Sequence, residues 1–257
     1  MATPNSASDY TLVDSHESVL DLIKVIQPLP TDIPCLFLDL EGVNLCRHGT
    51  ISLITLFIAP HSRACIIDVN KLQAATFTTA AEDGTTLKTI LKSPTITKIF
   101  FDVRNDSDAL HHHFGVRLAG IEDVQLMEVA TRFPNQRHQV KGLAKSIELF
   151  APISDDEKMK WKAIKKKGKK MFVPAKGGSF EVFNERPLSK AVAKYCINDV
   201  RFLPQLRNYL SALLVDPVWR ECVAQEAANR VAESQSPEYE PHGSDKIMAP
   251  KEWRNLN

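Results

Sequence analysis

A short apolar strand that ends in two acids sets the strongest limit on what this 257-residue chain can fold into. Leu36-Phe37-Leu38 reads as a buried strand, and Asp39-Leu40-Glu41 continues it. Residues i and i+2 of a strand share a face, so Asp39 and Glu41 project together. Two carboxylates side by side in a core repel unless a cation neutralises them. Magnesium (Mg2+) or manganese (Mn2+) suits such a pair, since both are hard and prefer oxygen ligands. The plainer alternative is a strand that has ended, with both acids in water. Spacing alone weighs the two about evenly.

The rest of the chain supplies a framework for that strand. Ser15 to Ile26 carries apolar residues at helical spacing, and Pro28, Pro30 and Pro34 break it. Strand patterns at Leu36, at Ile51 to Ala59 and at Ala64 to Val69 follow closely, which predicts an antiparallel meander. Helix and strand then alternate. A helix is expected over Gly84 to Leu91, a strand over Ile96 to Val103, and a helix over Asp106 to Phe114. A short strand over Ile121 to Val124 runs into a helix to about Arg132, and Val140 to Phe150 is helical. Leu188 to Leu214 reads as a long helix bent at Pro204, and Val218 to Val231 as another. This order predicts an α/β fold, a mixed sheet of three antiparallel strands and then parallel strands, flanked by helices. Residues 1–13 read as disordered, 151–186 as a loop-rich insertion, and the tail from Ser234 as extended with Trp253 as its anchor.

Two further acidic motifs stand out. Tyr195 and Asp199 are four apart on a helix and share a face beside the apolar stripe of Val192, Cys196, Val200 and Leu203. Alone, this pattern is common by chance. The segment Lys98 to Asp108 runs from a buried strand into a polar turn and a helix, and holds Asp102, Asp106 and Asp108. Asp106 can cap that helix, or reach back toward the first strand.

Together the three motifs resemble the DEDDy group of 3′–5′ exonucleases, which includes ribonuclease D, the Werner exonuclease domain and the proofreading domain of family A DNA polymerases. The resemblance covers residues 34 to 212 and extends to Arg47, Gly49, Asp68, Phe114-Gly115 and Arg186-Pro187-Leu188. The branch it is most similar to is that of the Egalitarian-related exonuclease-domain proteins. The resemblance implies a ribonuclease H-like fold in an exonuclease domain over 31–215. A flexible N-terminus with a short helix (1–30) would precede it, and a C-terminal helix and extended tail (216–257) would follow. It implies Asp39, Glu41, Asp106, Tyr195 and Asp199 as catalytic residues. Asp106 is chosen over Asp102 and Asp108 because the family's acid falls eight residues after the basic residue that opens the strand, here Lys98. The four carboxylates would hold two Mg2+ or Mn2+ ions. The implied reaction is hydrolysis of terminal phosphodiesters of nucleic acid, RNA before DNA, to nucleoside 5′-monophosphates. Some members of the branch lack catalytic acids and bind RNA as adaptors, which is the alternative reading here.

Charge distribution bears on the partner. The net charge is +1, yet residues 158–170 hold eight lysines and no acid. The run suits a phosphate backbone, with Lys165, Lys166, Lys167, Lys169 and Lys170 as contacts and Trp161 and Phe172 as base-stacking rings. A solvated loop or a nuclear-localisation signal explains the same run. Single-stranded RNA 3′ ends are the partner that the resemblance implies. Arg137 and His138 are candidate phosphate contacts, and Arg186 is either structural or phosphate-binding. His111-His112-His113 point in different directions from a regular helix and cannot chelate one ion. No apolar run approaches the roughly 20 residues of a membrane span, the N-terminus has no signal-peptide core, and the five cysteines are scattered. An intracellular location follows, with nucleus and cytoplasm both open.

Overall fold

The structure is a computed structural model and describes residues 10–254. Its centre is a six-stranded mixed sheet: β1 (Thr11–Val13), β2 (Leu36–Glu41), β3 (Leu53–Ile58), β4 (Arg63–Asp68), β5 (Lys98–Phe100) and β6 (Ile121–Asp123), in the order β1-β4-β3-β2-β5-β6. β2, β3 and β4 pair antiparallel in sequence, while β5 joins β2 and β6 joins β5 in parallel. The expected mixed sheet is present, with β2 near its middle.

Among the described residues, eleven α-helices surround it. The first five are α1 (His16–Ile26), α2 (Val69–Leu72), α3 (Ala75–Thr78), α4 (Leu87–Lys92) and α5 (Arg104–Phe114). Then come α6 (Val124–Ala130), α7 (Leu143–Phe150), α8 (Asp155–Phe172), α9 (Lys190–Arg201), α10 (Leu203–Leu213) and α11 (Pro217–Ser234). The pleat of β2 divides the core. Leu36, Leu38 and Leu40 pack with α1 and α5 residues such as Leu22, Ile23 and Leu110. Phe37 faces the other way, toward Leu126, Val200 and Leu206. Asp39 and Glu41 share the face of Phe37, and α9 packs against that face.

Four expectations change. Residues 1–9 of the segment read as disordered lie outside the described residues, but Thr11–Val13 forms an edge strand paired with Cys65–Ile67. Three residues are too few for a period to register. The loop-rich reading of 151–186 is overturned by α8, an 18-residue helix. Ser154 and Glu157 form a capping box at its start, three acids occupy its first turn, and Lys169 and Lys170 its last, as the helix dipole favours. The long helix expected over 188–214 is two helices, broken at Phe202, with Pro204 in the first turn of α10. The tail is not simply extended: it folds back through two short 3-10 turns, and Trp253 is buried with its ring 5.4 Å from that of Trp219.

Buried acids brace this framework wherever an arginine meets them. Arg186 donates to both oxygens of Asp68, at 2.5 and 2.6 Å. Arg47 donates its backbone N–H and its Nε to Asp108, each at 2.7 Å. Arg230 reaches Asp123 at 2.7 Å, and Arg132 and Lys141 both pair with Glu128.

Candidate active site

Three elements converge on one acidic cluster. The end of β2 supplies Asp39 and Glu41, and one face of α9 supplies Tyr195 and Asp199. The third is α5, whose first turn supplies Asp106. α9 is set down by its apolar side, with Val192, Cys196 and Val200 buried on the sheet. Four residues is about one helical turn, so Tyr195 and Asp199 arrive together. One oxygen each from Asp39, Glu41 and Asp199 lie within 4.8 Å of one another. Asp106 is not in that group of three. It accepts a hydrogen bond from the Leu40 backbone N–H at 3.1 Å, on the neighbouring stretch of β2.

The electrostatics are those of an acidic cluster short of cations. Burial and then Asp199 push Asp39 up to about 7, against an opposing pull from Lys165. Burial and the Asp39 and Asp199 charges hold Glu41 well above the usual carboxylate range. Asp106 is likewise raised by burial and by Asp39. Asp199 is raised by burial although Lys165 opposes the shift. Its second oxygen, Oδ1, is buried without a hydrogen-bond partner among the described residues. An orphaned carboxylate oxygen beside two more acids is a donor set that fits a hard divalent ion.

Of the five lysines expected at nucleic acid, Lys165 is elsewhere. Its ammonium forms an ion pair with Asp199 Oδ2 and donates to Tyr195 Oη at 3.0 Å. Burial alone would lower the Lys165 pKa, but Asp199, Asp39 and Glu41 raise it overall. Lys166, Lys167 and Lys170 are exposed and Lys169 is half-buried. Trp161 and Phe172 are not free for bases either. Trp161 is buried and donates its Nε1–H to the Asn198 carbonyl at 2.7 Å. Phe172 packs on Tyr195 and Phe183, with ring centroids 5.1 and 5.3 Å away. The phosphate reading of Arg137 also fails: the residue is buried, donates to the Arg132 carbonyl at 2.8 Å and lies 4.0 Å from the Trp219 ring centroid. Arg186 is committed to Asp68.

The lysine-rich segment is thus a helix that walls the site, where the sequence reading expected a loop. Its signal was present as Trp161, Lys165 and Gly168, spaced i, i+4 and i+7. Gly168 is buried against Tyr195, and a Cβ there would lie 2.0 Å from the ring. A lysine and a glycine disguise a buried helix face that is normally read from apolar residues.

The family described as 3′–5′ exonuclease matches residues 10–214. The chain belongs to that family. Its fold is similar to Trypanosoma brucei RNase D in complex with GMP, with a TM-score of 0.73 and 23% identity over 95% of this chain and 70% of that one. Escherichia coli RNase D gives a TM-score of 0.60 and 19% identity, over 88% of this chain and 51% of that one. Among curated proteins, mouse piRNA biogenesis protein EXD1 is 35% identical over 89 residues, which is 35% of this chain and 14% of the mouse protein. The human counterpart is also 35% identical over 89 residues, 16% of its length. The chain therefore matches only a small part of these relatives. The DEDDy-type recognition and the ribonuclease H-like fold hold. Among the described residues no helix is long and apolar enough to cross a membrane.

Proposed function

We propose that this chain is a metal-dependent 3′–5′ exonuclease that removes nucleoside 5′-monophosphates from single-stranded RNA, in preference to DNA. The carrying observation is the meeting of Asp39, Glu41 and Asp199, together with the buried, unpartnered Oδ1 of Asp199. Two solved forms of T. brucei RNase D, one with GMP and one with RNA U12, support RNA as the substrate class.

Asp39, Glu41 and Asp199 would hold one divalent ion, and Asp39 with Asp106 a second. When bound, two Mg2+ or Mn2+ ions would neutralise the acids, polarise the scissile phosphate and lower the pKa of the attacking water. Tyr195 keeps its proton, since burial and then Asp199 raise its pKa. It therefore orients the water as a hydrogen-bond partner and does not act as a base. The exposed Lys166, Lys167 and Lys170, with Lys169, line α8 as phosphate contacts.

The test is 5′-labelled single-stranded RNA and DNA with Mg2+ or Mn2+, beside Asp39→Asn. A ladder shortening from the 3′ end, faster on RNA and absent in the variant, is expected. Equal ladders from both proteins would remove the proposal. A second reading, an RNA-binding adaptor with little catalysis, draws on one observation: Lys165 already neutralises Asp199. An RNA gel shift with no nucleotide released would select it.

A further inference from the structure

Lys165 is the cation that the chain itself presents to its carboxylate cluster, and three contacts hold it there. One turn before it, Trp161 is buried and bonded to the Asn198 carbonyl at 2.7 Å. One turn after it, Gly168 lies flat on the Tyr195 ring, closer than any Cβ would allow. Between them the ammonium takes Asp199 Oδ2 and Tyr195 Oη together, 4.5 Å from the centre of the tyrosine ring. The helix is thus packed against α9 on both sides of Lys165, and the ammonium is held by its two polar partners on α9.

Asp199 is consequently divided. Oδ2 is occupied by Lys165, while Oδ1 is buried and unpartnered among the described residues, in a residue that offers one oxygen to the group formed with Asp39 and Glu41. An ammonium at this distance from a ligand carboxylate acts on a divalent ion in two ways. It repels the ion, and it occupies one of the oxygens the ion would use.

We propose that Lys165 is a built-in cation of the carboxylate cluster, which competes with a divalent ion for Asp199. This rests on the metal-dependent reading above. A residue with a merely structural role would loosen the site when removed, and metal binding would weaken. A competitor gives the opposite sign.

The experiment is Mn2+ titration of the full chain by electron paramagnetic resonance, at about pH 8.5 to limit proton competition for the acids. Lys165→Met is expected to bind Mn2+ at least about tenfold more tightly than the parent, as loss of a contacting like charge predicts. Lys165→Arg, which keeps the charge, should stay near the parent. Lys160→Met, an exposed lysine of the same helix, should match it within about twofold, because exposed charges are screened. Should the methionine variant fail to fold, Lys165→Gln carries the same test. Equal or weaker Mn2+ affinity in a folded Lys165 variant overturns the proposal. So does an equal gain in Lys160→Met, which would assign the effect to diffuse charge. No Mn2+ binding by either the parent or Lys165→Met would overturn the metal-dependent reading itself, and is thereby told apart.

Discussion

Asp106 and Asp108 lie two residues apart on α5, both buried, and the chain treats them in opposite ways. Asp108 accepts two hydrogen bonds from Arg47, whose guanidinium also holds the Ser234 and Ser236 carbonyls at 3.0 and 2.7 Å. Asp106 accepts from the Leu40 N–H and faces the charge of Asp39. The same division runs through the core. Asp68, Asp102, Asp123 and Glu128 each have an arginine. Asp39, Glu41 and Asp199 share the ammonium of Lys165, with Asp106 beside them. The consequence is visible in Asp102 and Asp39. Burial raises both, but Arg104 and Arg230 leave Asp102 below its ordinary range, whereas Asp39 is pushed up to about 7. Acids that the chain neutralises hold the fold together. Acids that it leaves in excess are where the proposed function puts cations from outside.

Neutralising one acid of each kind is the most severe test of this division. Asp39→Asn should lower nucleotide release by at least about 10³-fold, as expected if Asp39 is a ligand in the proposed metal-dependent reaction. Its melting temperature in EDTA should stay level or rise, because one member of a repelling cluster is gone. Asp108→Ala should do the reverse to the fold. Removing one partner of a buried pair leaves Arg47 uncompensated, and urea denaturation should show a loss of about 3–5 kcal/mol. If Asp39→Asn proves the more destabilising of the two, the division between bracing and ligand acids is wrong.

Gly168→Ala asks whether the cluster depends on α8. In an exposed helix the change would stabilise by about 1 kcal/mol. Here the new Cβ would meet the Tyr195 ring at 2.0 Å, and Phe172 and Phe183 already pack against that ring. The overpacking should cost about 1–3 kcal/mol in net stability. Nucleotide release should fall with it, since Tyr195 and Lys165 shift together. A stabilised, fully active variant would show that the helix only rests on the site.

Much of this was legible beforehand, and what was not has identifiable causes. The alternation Leu36-Phe37-Leu38-Asp39-Leu40-Glu41 needs only a pleat to place both acids on one face, and β2 does so. The four-residue step from Tyr195 to Asp199 needs only a helix. By contrast, α8 was hidden because its inward face is Trp161, Lys165 and Gly168, two of which do not count as apolar. Lys165 looks like its seven neighbours in the run until the axis of the helix is known. Arg47 and Asp108 are 61 residues apart, and nothing local in either predicts the pair.

Acidity separates the two kinds of acid more finely. Because Asp39 is raised to about 7, mainly by burial and then by Asp199, the folded chain holds more protons than the unfolded chain between the ordinary carboxylate range and that value. The Asp39 contribution to stability should therefore fall as pH rises through about 4 to 7, complete below the unfolded pKa and lost above the folded one. Arginine-paired Asp102, which is lowered, works in the opposite sense at more acidic pH. Melting temperatures in EDTA from roughly pH 5 to 8 should decline, and Asp39→Asn should flatten the decline. Mn2+ should lift the curve most at the alkaline end, because its ligands must be deprotonated. A decline of the same slope in Asp39→Asn would remove the cluster as its source.

The subtlest difference separates Lys165 from the lysines beside it. Lys167 and Lys170 are exposed on α8, whereas Lys165 is turned onto Asp199. If the exposed pair touches phosphates, replacing both with glutamine should weaken single-stranded RNA binding similarly for every sequence. The dependence of log affinity on log salt should become shallower by roughly 0.7 for each phosphate no longer neutralised. The Mn2+ affinity should hardly move, since charges in water are screened within about 10 Å at 0.1 M salt. Lys165→Met should give the mirror image: a large change in Mn2+ binding and little change in the salt slope, because an ammonium already committed to a carboxylate releases no counterion from RNA. A salt slope that falls equally in both variants would mean that Lys165 leaves Asp199 for the backbone when RNA arrives, and the helix would then have one kind of lysine rather than two.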